Sequence, residues 1–564
     1  MKTLKTKLRC LKTNKLINYK IYKYSIIENN LPLDSKKFKI GIVGSGPAGF
    51  YVAKMLQLRY SNILSIDIFE KLPHPFGLIR TGIAPDHQEM KNAQKDFLSL
   101  LENENINLLC NVEITDSEKQ INTNINNLKK SNSTLYVEIE KLIYNYSAIV
   151  LCCGANGESS LFLENEKKAN NIIFSRDFVN WYNGCIETSI NSRINKFNFA
   201  DIKNVTIIGN GNVAIDIARL LSREYSSLVK YDIPEHVLNK LKYKNVENIH
   251  IIGRRGAVQS AFSTKEIREL SKIANIYTIK NEIENSLNLE SLKELQTNNL
   301  SDSRLLNRKF NLIKSFESLS KLENNLSSIN PNKSSIYLRY FLLPCKLHFN
   351  NNQATKIEFN KTKLTGIANL QKSIIDNEAN KEILNTDLII NSIGYKTTPI
   401  FKDYFAYDSR GIIKNNKGLV EYNTEFTNKN SNIPNKVYTS GWMKRGANGI
   451  LDMTLKDTQD TYTIISNNVS NMETINNLYL KYKDNKYYCY NKVGNNKFVF
   501  DYKKLFNTSE DNISKLLINK HEIKKILKKE ENDGLRLKKI AEKIVNKNKM
   551  IEVAKSDEIN MVYN

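Results

Sequence analysis

FKIGIVGSGPAGFYVAKMLQL at 38–58, followed by ILSIDIFE at 63–70, is the stretch from which the fold can be read. An apolar run leads directly into Gly44-Ser45-Gly46-Pro47-Ala48-Gly49, an amphipathic stretch follows, and a second apolar run closes on Glu70. Strand, glycine turn, helix, strand, acid is the order of a dinucleotide-binding βαβ unit. Gly44 permits the tight turn, Gly46 lets a pyrophosphate approach the backbone, and Gly49 lets helix and strand pack closely. The helix N-terminus offers unpaired N–H groups and a positive dipole end to the phosphates. An acid at the end of the second strand suits a ribose with free hydroxyls.

A second copy lies at 205–221: VTIIG, then Asn210-Gly211-Asn212-Val213-Ala214, then IDIARLL. Its next strand, NIHIIG at 248–253, ends not in an acid but in Arg254-Arg255. Two guanidiniums in that place are a natural receptor for a 2′-phosphate, although two surface arginines in a basic protein would look the same. Two unlike dinucleotide turns predict a flavoprotein using NADPH, with FAD integral and non-covalent on the first and NADP(H) exchangeable on the second.

The rest of the chain supports this frame and excludes several others. It has 564 residues, 41% hydrophobic, which excludes wholesale disorder. No apolar run is long enough to span a membrane. Seven cysteines without CxxC spacing argue against a dithiol centre, a zinc ribbon or a disulfide scaffold. The vicinal Cys152-Cys153 follow an apolar strand and read as core thiols. A net charge of +24 fits either compositional bias with solvated faces or an acidic protein partner. The start is distinct, with eight Lys or Arg before Glu28, no acid, and Leu4, Leu8 and Leu11 on one helical face. It reads as an organelle presequence or a basic tail.

The expected class is α/β, with two Rossmann-like domains and the NADP domain inserted in a discontinuous FAD domain. The boundaries are a presequence or tail at 1–36, FAD domain at 37–147, NADP domain at 148–388 and FAD domain again at 389–564 with a helical tail. YSAIVLCCGA (146–155) is read as the strand that ends the first FAD segment, DLIINSIG (387–394) as the strand returning to the first unit, and 280–335 as a lysine- and asparagine-rich insertion. SSIYLRYFLLP and ATKIEF are placed in the NADP domain.

These residues resemble the adrenodoxin reductase family, mitochondrial NADPH–ferredoxin reductases of glutathione-reductase-type architecture. The pieces are GIVGSGPAGFY (41–51), PFGLIRTGIAPDHQEMKN (75–92), FVNWYNG (178–184), GNGNVAIDIARLL (209–221), IIGRRGAVQSAFSTKEIREL (251–270), NSIGYKTTPI (391–400) and SGWMKRGANGIL (440–451). The resemblance implies FAD contacts at Ala48, Glu70, Leu78, Ile114, Trp442, Gly449, Ile450 and Leu451. It implies NADP contacts at Asn210, Gly211, Asn212, Val213, Arg254, Arg255, Glu266 and Gly449. Glu266 would receive hydrogen bonds from the adenosine side or orient an arginine; a helix-surface pairing with Lys265 or Arg268 is the plainer alternative. Ala447-Asn448 stands where the family usually shows Pro-Thr. His87 is a candidate relay beside the flavin with Asp216 as partner, or else a turn residue. Arg304 and Arg308 fall where the family carries partner-binding arginines, or else on a solvated helix face. The resemblance further implies a monomer in the mitochondrial matrix, associated peripherally with the inner membrane.

The expected activity is electron transfer from NADPH, by hydride transfer to FAD and then two one-electron steps, to an acidic [2Fe-2S] ferredoxin, with no resident metal and no nucleic acid. The rival enzyme, a reductase of glutamate-synthase small-subunit type, would carry cysteine-rich cluster motifs. A basic nucleic-acid-binding protein would need a reader motif or a basic stripe with interleaved aromatics.

Overall fold

The computed structural model describes residues 38–116, 134–186, 192–296, 300–318, 333–429, 437–449, 451–493 and 497–556. The basic start and Ile450 lie outside the described residues.

Two seven-stranded sheets carry the chain. In the first, Val437–Thr439, Ala148–Leu151, Phe38–Val43, Leu64–Glu70 and Ile106–Cys110 run parallel in that order. Asn415–Asn416 and Leu419–Val420 add an antiparallel edge. The second sheet is parallel throughout, ordered Glu317–Ser318, Asn275–Thr278, Ser335–Arg339, Asn248–Ile252, Asn204–Ile208, Leu388–Asn391, Ile172–Phe174. Parallel strands covered on both faces need continuous apolar runs. Ile40, Ile42, Ile66, Ile68, Val205, Ile207, Ile249 and Ile390 meet that need and are fully buried.

The strand of YSAIVLCCGA lies in the first sheet, as read from the sequence: Ala148–Leu151 pairs with Phe38–Val43, so a boundary at 147 falls one strand early. Leu388–Asn391, expected to return to the first unit, pairs with Asn204–Ile208 in the second. Each is the last parallel strand of its own unit, and an apolar run carries no mark of which sheet will take it. The chain crosses between units just afterwards, where Gly157–Glu158 and Tyr395–Lys396 pair antiparallel.

ATKIEF lies within the long strand Gln353–Thr365, part of a separate antiparallel sheet with Leu342–Asn350, Lys372–Ile375 and Glu382–Asn385. That sheet packs Leu347, Ile357 and Phe359 against Ile208, Ile252 and Ile389 of the second parallel sheet. The stretch from 280 forms helices Lys280–Asn285, Leu289–Leu295 and Leu300–Lys314.

The lysine-rich C-terminal region is part of the first core. Helices Lys520–Arg536 and Lys547–Lys555 bury Ile523, Ile526, Met550 and Ala554 in the cluster that holds Ile40 and Ile66. Arg80 donates to both oxygens of buried Glu530, at 2.9 and 2.6 Å, and Glu530 Oε1 also accepts from the Ile544 amide at 2.8 Å. Such a pair persists in a dry interior because its charges and lone pairs are matched.

Candidate functional site

The two glycine turns are built alike. Gly44 has φ +107°, and a Cβ there would lie 2.4 Å from the Cys152 carbonyl oxygen. Gly209 has φ +118°, and a Cβ would lie 2.2 Å from the Ser392 carbonyl oxygen. Only glycine fits a left-handed turn closed so tightly by the last strand of the unit. A Cβ on Gly49 would collide with the Gly44 oxygen at 2.1 Å, whereas one on Gly46 or Gly211 would meet nothing within 4 Å. The middle glycine of each turn therefore faces open space. Helices Pro47–Tyr60 and Asn212–Ser222 start there without a side-chain cap, leaving their first amides free to bind an anion.

The second-strand ends differ as expected. Glu70 is buried, and its carboxylate accepts from Ser45 N at 3.1 Å, Ser45 Oγ at 2.7 Å and Leu72 N at 3.0 Å. Burial pushes this carboxyl up, while these hydrogen bonds oppose the rise. In the second unit Arg254 is exposed and Arg255 half-buried, and neither forms an ion pair among the described residues. Asn210 and Asn212 hold the neighbouring loop, through Phe262 N to Asn210 O at 3.1 Å and Ser263 N to Asn212 Oδ1 at 2.8 Å. Val213 packs partly buried against the second core, and Ala214 is fully buried.

The returning half meets the first turn. A Cβ on Gly441 would sit 2.7 Å from Ala48 Cβ, and one on Gly77 would lie 3.0 Å from Gly46 Cα, which brings Leu78 over the same turn. Gly441 N donates to Asp457 Oδ2 at 2.6 Å. Trp442 is half-buried, with its ring 5.5 Å from that of Tyr395 on the crossover strand. Helix Leu451–Asn468 packs on helix Pro47–Tyr60, and Gly449 stands exposed just before it. Ile114 is half-buried on the strand Val112–Thr115.

Between the units lies a charged cluster centred on a fully buried arginine. Arg219 Nε and Nη2 donate to Asp86 at 2.6 and 3.1 Å, Nη1 to Glu266 at 2.8 Å, and Nη2 to Asp216 at 2.7 Å. His87 Nε2 lies 2.7 Å from Glu269 Oε2, and His87 Nδ1 lies 3.5 Å from Arg219 Nη2. Asp86 and His87 come from the first unit and the rest from the second, so the cluster ties the domains together. One ligand atom each of His87, Glu266 and Glu269 lie within 4.8 Å of one another, the spacing a metal ion could use. Here the Arg219 guanidinium supplies positive charge to Glu266, while Glu269 faces His87 and Lys265.

The model for the pyridine nucleotide-disulphide oxidoreductase family matches residues 38–298. The mitochondrial NADPH:adrenodoxin oxidoreductase of Arabidopsis thaliana is 30% identical over 464 residues, covering 80% of this chain and 86% of that protein. The probable counterpart of Dictyostelium discoideum is 32% identical over 456 residues, 78% and 80% of the two chains. The chain belongs to the pyridine nucleotide-disulphide oxidoreductase family. Within the family it is related to the ferredoxin and adrenodoxin reductases, and it is an oxidoreductase. Mycobacterium tuberculosis FprA in complex with NADPH shares the fold, with a TM-score of 0.71 at 22% identity over 92% of this chain and 100% of that one.

Despite the family's name, the vicinal cysteines are not a redox pair in character. Burial pushes the Cys152 thiol well above its usual value and the Cys153 thiol up to about 12, so neither is a thiolate at neutral pH. Glu266 does orient an arginine, but that arginine is Arg219 rather than Arg268 on its own helix. His87 stands at the N-cap of the short helix Gln88–Lys91, yet its side chain does not cap it and reaches Glu269 instead. Asp216 connects to His87 through Arg219 Nη2, which lies 2.7 Å from Asp216 Oδ1 and 3.5 Å from His87 Nδ1. Arg304 and Arg308 are both exposed on helix Leu300–Lys314, which buries Ser303 and Phe310. Among the described residues, no helix of this family member is long and apolar enough to cross a membrane.

Sequence reasoning missed Arg219, Asp86, Glu269 and Ser45. The available signal was Arg219 itself, which with Asp216 interrupts an apolar helical run and calls for buried partners.

Burial pushes the Asp216 carboxyl up to about 7, with Glu266 and Asp86 adding like charge against Arg219 and His87. Its folded value exceeds the ordinary 3.8, so between about pH 4 and 7 the folded chain holds a proton that the unfolded chain has released. The site's contribution is therefore full at the acid end and lost as pH rises to about 7. Asp216→Asn should flatten that part of the curve in urea melts; an unchanged slope would place the proton elsewhere.

Proposed function

We propose that this chain is an NADPH–ferredoxin oxidoreductase: FAD rests on the first turn, NADPH on the second, and an acidic [2Fe-2S] ferredoxin in the mitochondrial matrix accepts the electrons. One observation carries the reading: two open glycine turns in one chain end on opposite chemistries, buried Glu70 and Arg254-Arg255, which form no ion pair among the described residues. The residues fit the cofactors. Uncapped helix starts suit pyrophosphates, Glu70 suits a ribose with free hydroxyls, and adjacent guanidiniums suit a 2′-phosphate. Several relatives are named as mitochondrial NADPH:adrenodoxin oxidoreductases, which supports both acceptor and compartment.

A flavin bridges two-electron hydride transfer and one-electron acceptors, which is the chemistry this pairing of nucleotides needs. The chain's own work is placement. Ala48 and Gly441 in contact, and Gly77 over Gly46, hold the returning half against the first turn. Trp442 and Tyr395 wall the junction, and Arg219 with its carboxylates fixes one domain against the other. His87 is held in the same cluster by Glu269.

The purified protein should be yellow, with FAD that does not need covalent attachment. Ferredoxin turnover should fall steeply with salt, because docking relies on exposed charge screened over about 8 Å at physiological ionic strength. Ferricyanide reduction, which needs no docked surface, should respond far less. Neutralising Arg304 and Arg308 together should reproduce the high-salt defect for ferredoxin alone. Full ferredoxin turnover by that variant at low salt would place the docking surface elsewhere.

A further inference from the structure

We propose that Gln259, Ser291, Glu294 and Gln371 form a positioning network that fixes the Arg254–Ser260 loop for a nucleotide 2′-phosphate. The helix Leu289–Leu295 and the loop 366–371 thereby take part in setting nucleotide specificity. The inference rests on reading Arg254-Arg255 as the phosphate receptor and adds residues that lie outside both glycine turns.

The loop is gripped at nearly every position. Arg254 O accepts from Thr362 Oγ1 at 2.8 Å and Arg255 O from Phe341 N at 3.4 Å. Ala257 N donates to Ser286 Oγ at 2.8 Å, and a Cβ on Gly256 would lie 2.8 Å from that same oxygen. Lys309 Nζ donates to Ser260 O. At the centre, Gln259 Nε2 donates to both Ser291 Oγ and Glu294 Oε2 at 3.0 Å.

Those two acceptors are themselves held from the other side. Gln371 Nε2 donates to Ser291 Oγ and to Glu294 Oε1 at 2.9 Å, and Asn369 N donates to the same Oε1 at 2.9 Å. Asn288 closes the ring, donating to Gln371 Oε1 at 2.8 Å and accepting from Ser291 N at 2.8 Å. Ser291, Glu294 and Gln371 are all buried, so the network is a rigid support rather than a surface contact.

Two adjacent guanidiniums repel one another and stand on a segment without regular structure. Burial and Arg254 both work against the charge on Arg255, and Glu294 favours it. A phosphate can be met by both arginines at little cost only if the backbone beneath them is already set. The network supplies that setting, and the nearby Glu294 carboxylate offsets part of the repulsion between the two guanidiniums.

The test compares Gln371→Ala and Gln259→Ala with the wild-type holoprotein, using calorimetric titration with 2′,5′-ADP and with ADP. Each variant should weaken 2′,5′-ADP binding about tenfold and leave ADP binding within about twofold. With ferricyanide as acceptor, KM for NADPH should rise by a similar factor while kcat and the NADH kinetics hold. Unchanged 2′,5′-ADP affinity in both variants, or equal loss with both nucleotides, overturns the proposal. If Gln371→Ala does not fold, Gln259→Ala, on the loop itself, decides alone. A wild-type protein with no preference for 2′,5′-ADP over ADP would instead overturn the reading of Arg254-Arg255, and this proposal with it.

Discussion

Replacing Arg254 and Arg255 together with glutamine raises the NADPH KM about a hundredfold and leaves NADH turnover nearly unchanged. A charge-assisted contact to phosphate contributes about 1.5–3 kcal/mol. Arg254 is exposed and Arg255 only half-buried, so solvent screening holds the pair near the lower bound, about 3 kcal/mol in sum. That sum is about two powers of ten in affinity. NADH carries no 2′-phosphate and loses nothing by the change. Steady-state kinetics with both nucleotides and ferricyanide measure it. Equal loss with NADH would mean that the two arginines hold the loop rather than the ligand.

Arg219→Met destabilises the protein by about 3–5 kcal/mol, because it strands charge in a buried site. Asp86, Asp216 and Glu266 all lean on this guanidinium. Asp86 keeps Arg223 at 2.8 Å, whereas the other two have no such second arginine in the cluster. The loss should appear in the urea midpoint and be partly recovered by adding Asp216→Asn, which removes one stranded carboxylate. Because the cluster joins the two domains, hydride transfer should slow as well. A variant that unfolds like the wild type would show that the three carboxylates are neutralised without Arg219.

What the sequence made legible was local chemistry with a fixed order. The glycines of 44–49 and 209–211 could be assigned from the strands and helices beside them, because each role is met within a few residues. The same holds for Glu70 and Arg254-Arg255, which end strands visible as apolar runs. Strand membership was less legible: Ala148–Leu151 joins the sheet it follows in sequence, but Leu388–Asn391, an apolar run of the same kind, goes to the second sheet, and only pairing shows it. Arg219 was illegible for a related reason. Asp216 is a local partner, one helical turn away, but Asp86 and Glu266 come from segments more than 40 residues away on either side, and nothing local to IDIARLL names them. The C-terminal region hid its core behind lysines, since Ile523, Ile526 and Met550 are sparse within otherwise charged helices.

Electrons should pass from NADPH through a bound flavin to an iron–sulfur protein. Anaerobic mixing of the purified protein with NADPH and a [2Fe-2S] ferredoxin at low salt, followed by absorbance, measures that directly. NADPH should bleach the flavin band and then reduce two ferredoxins for each NADPH consumed, with NADH far slower. Flavin that bleaches while the ferredoxin stays oxidised would contradict the proposed acceptor, and a protein that takes up no flavin at all would contradict the account as a whole.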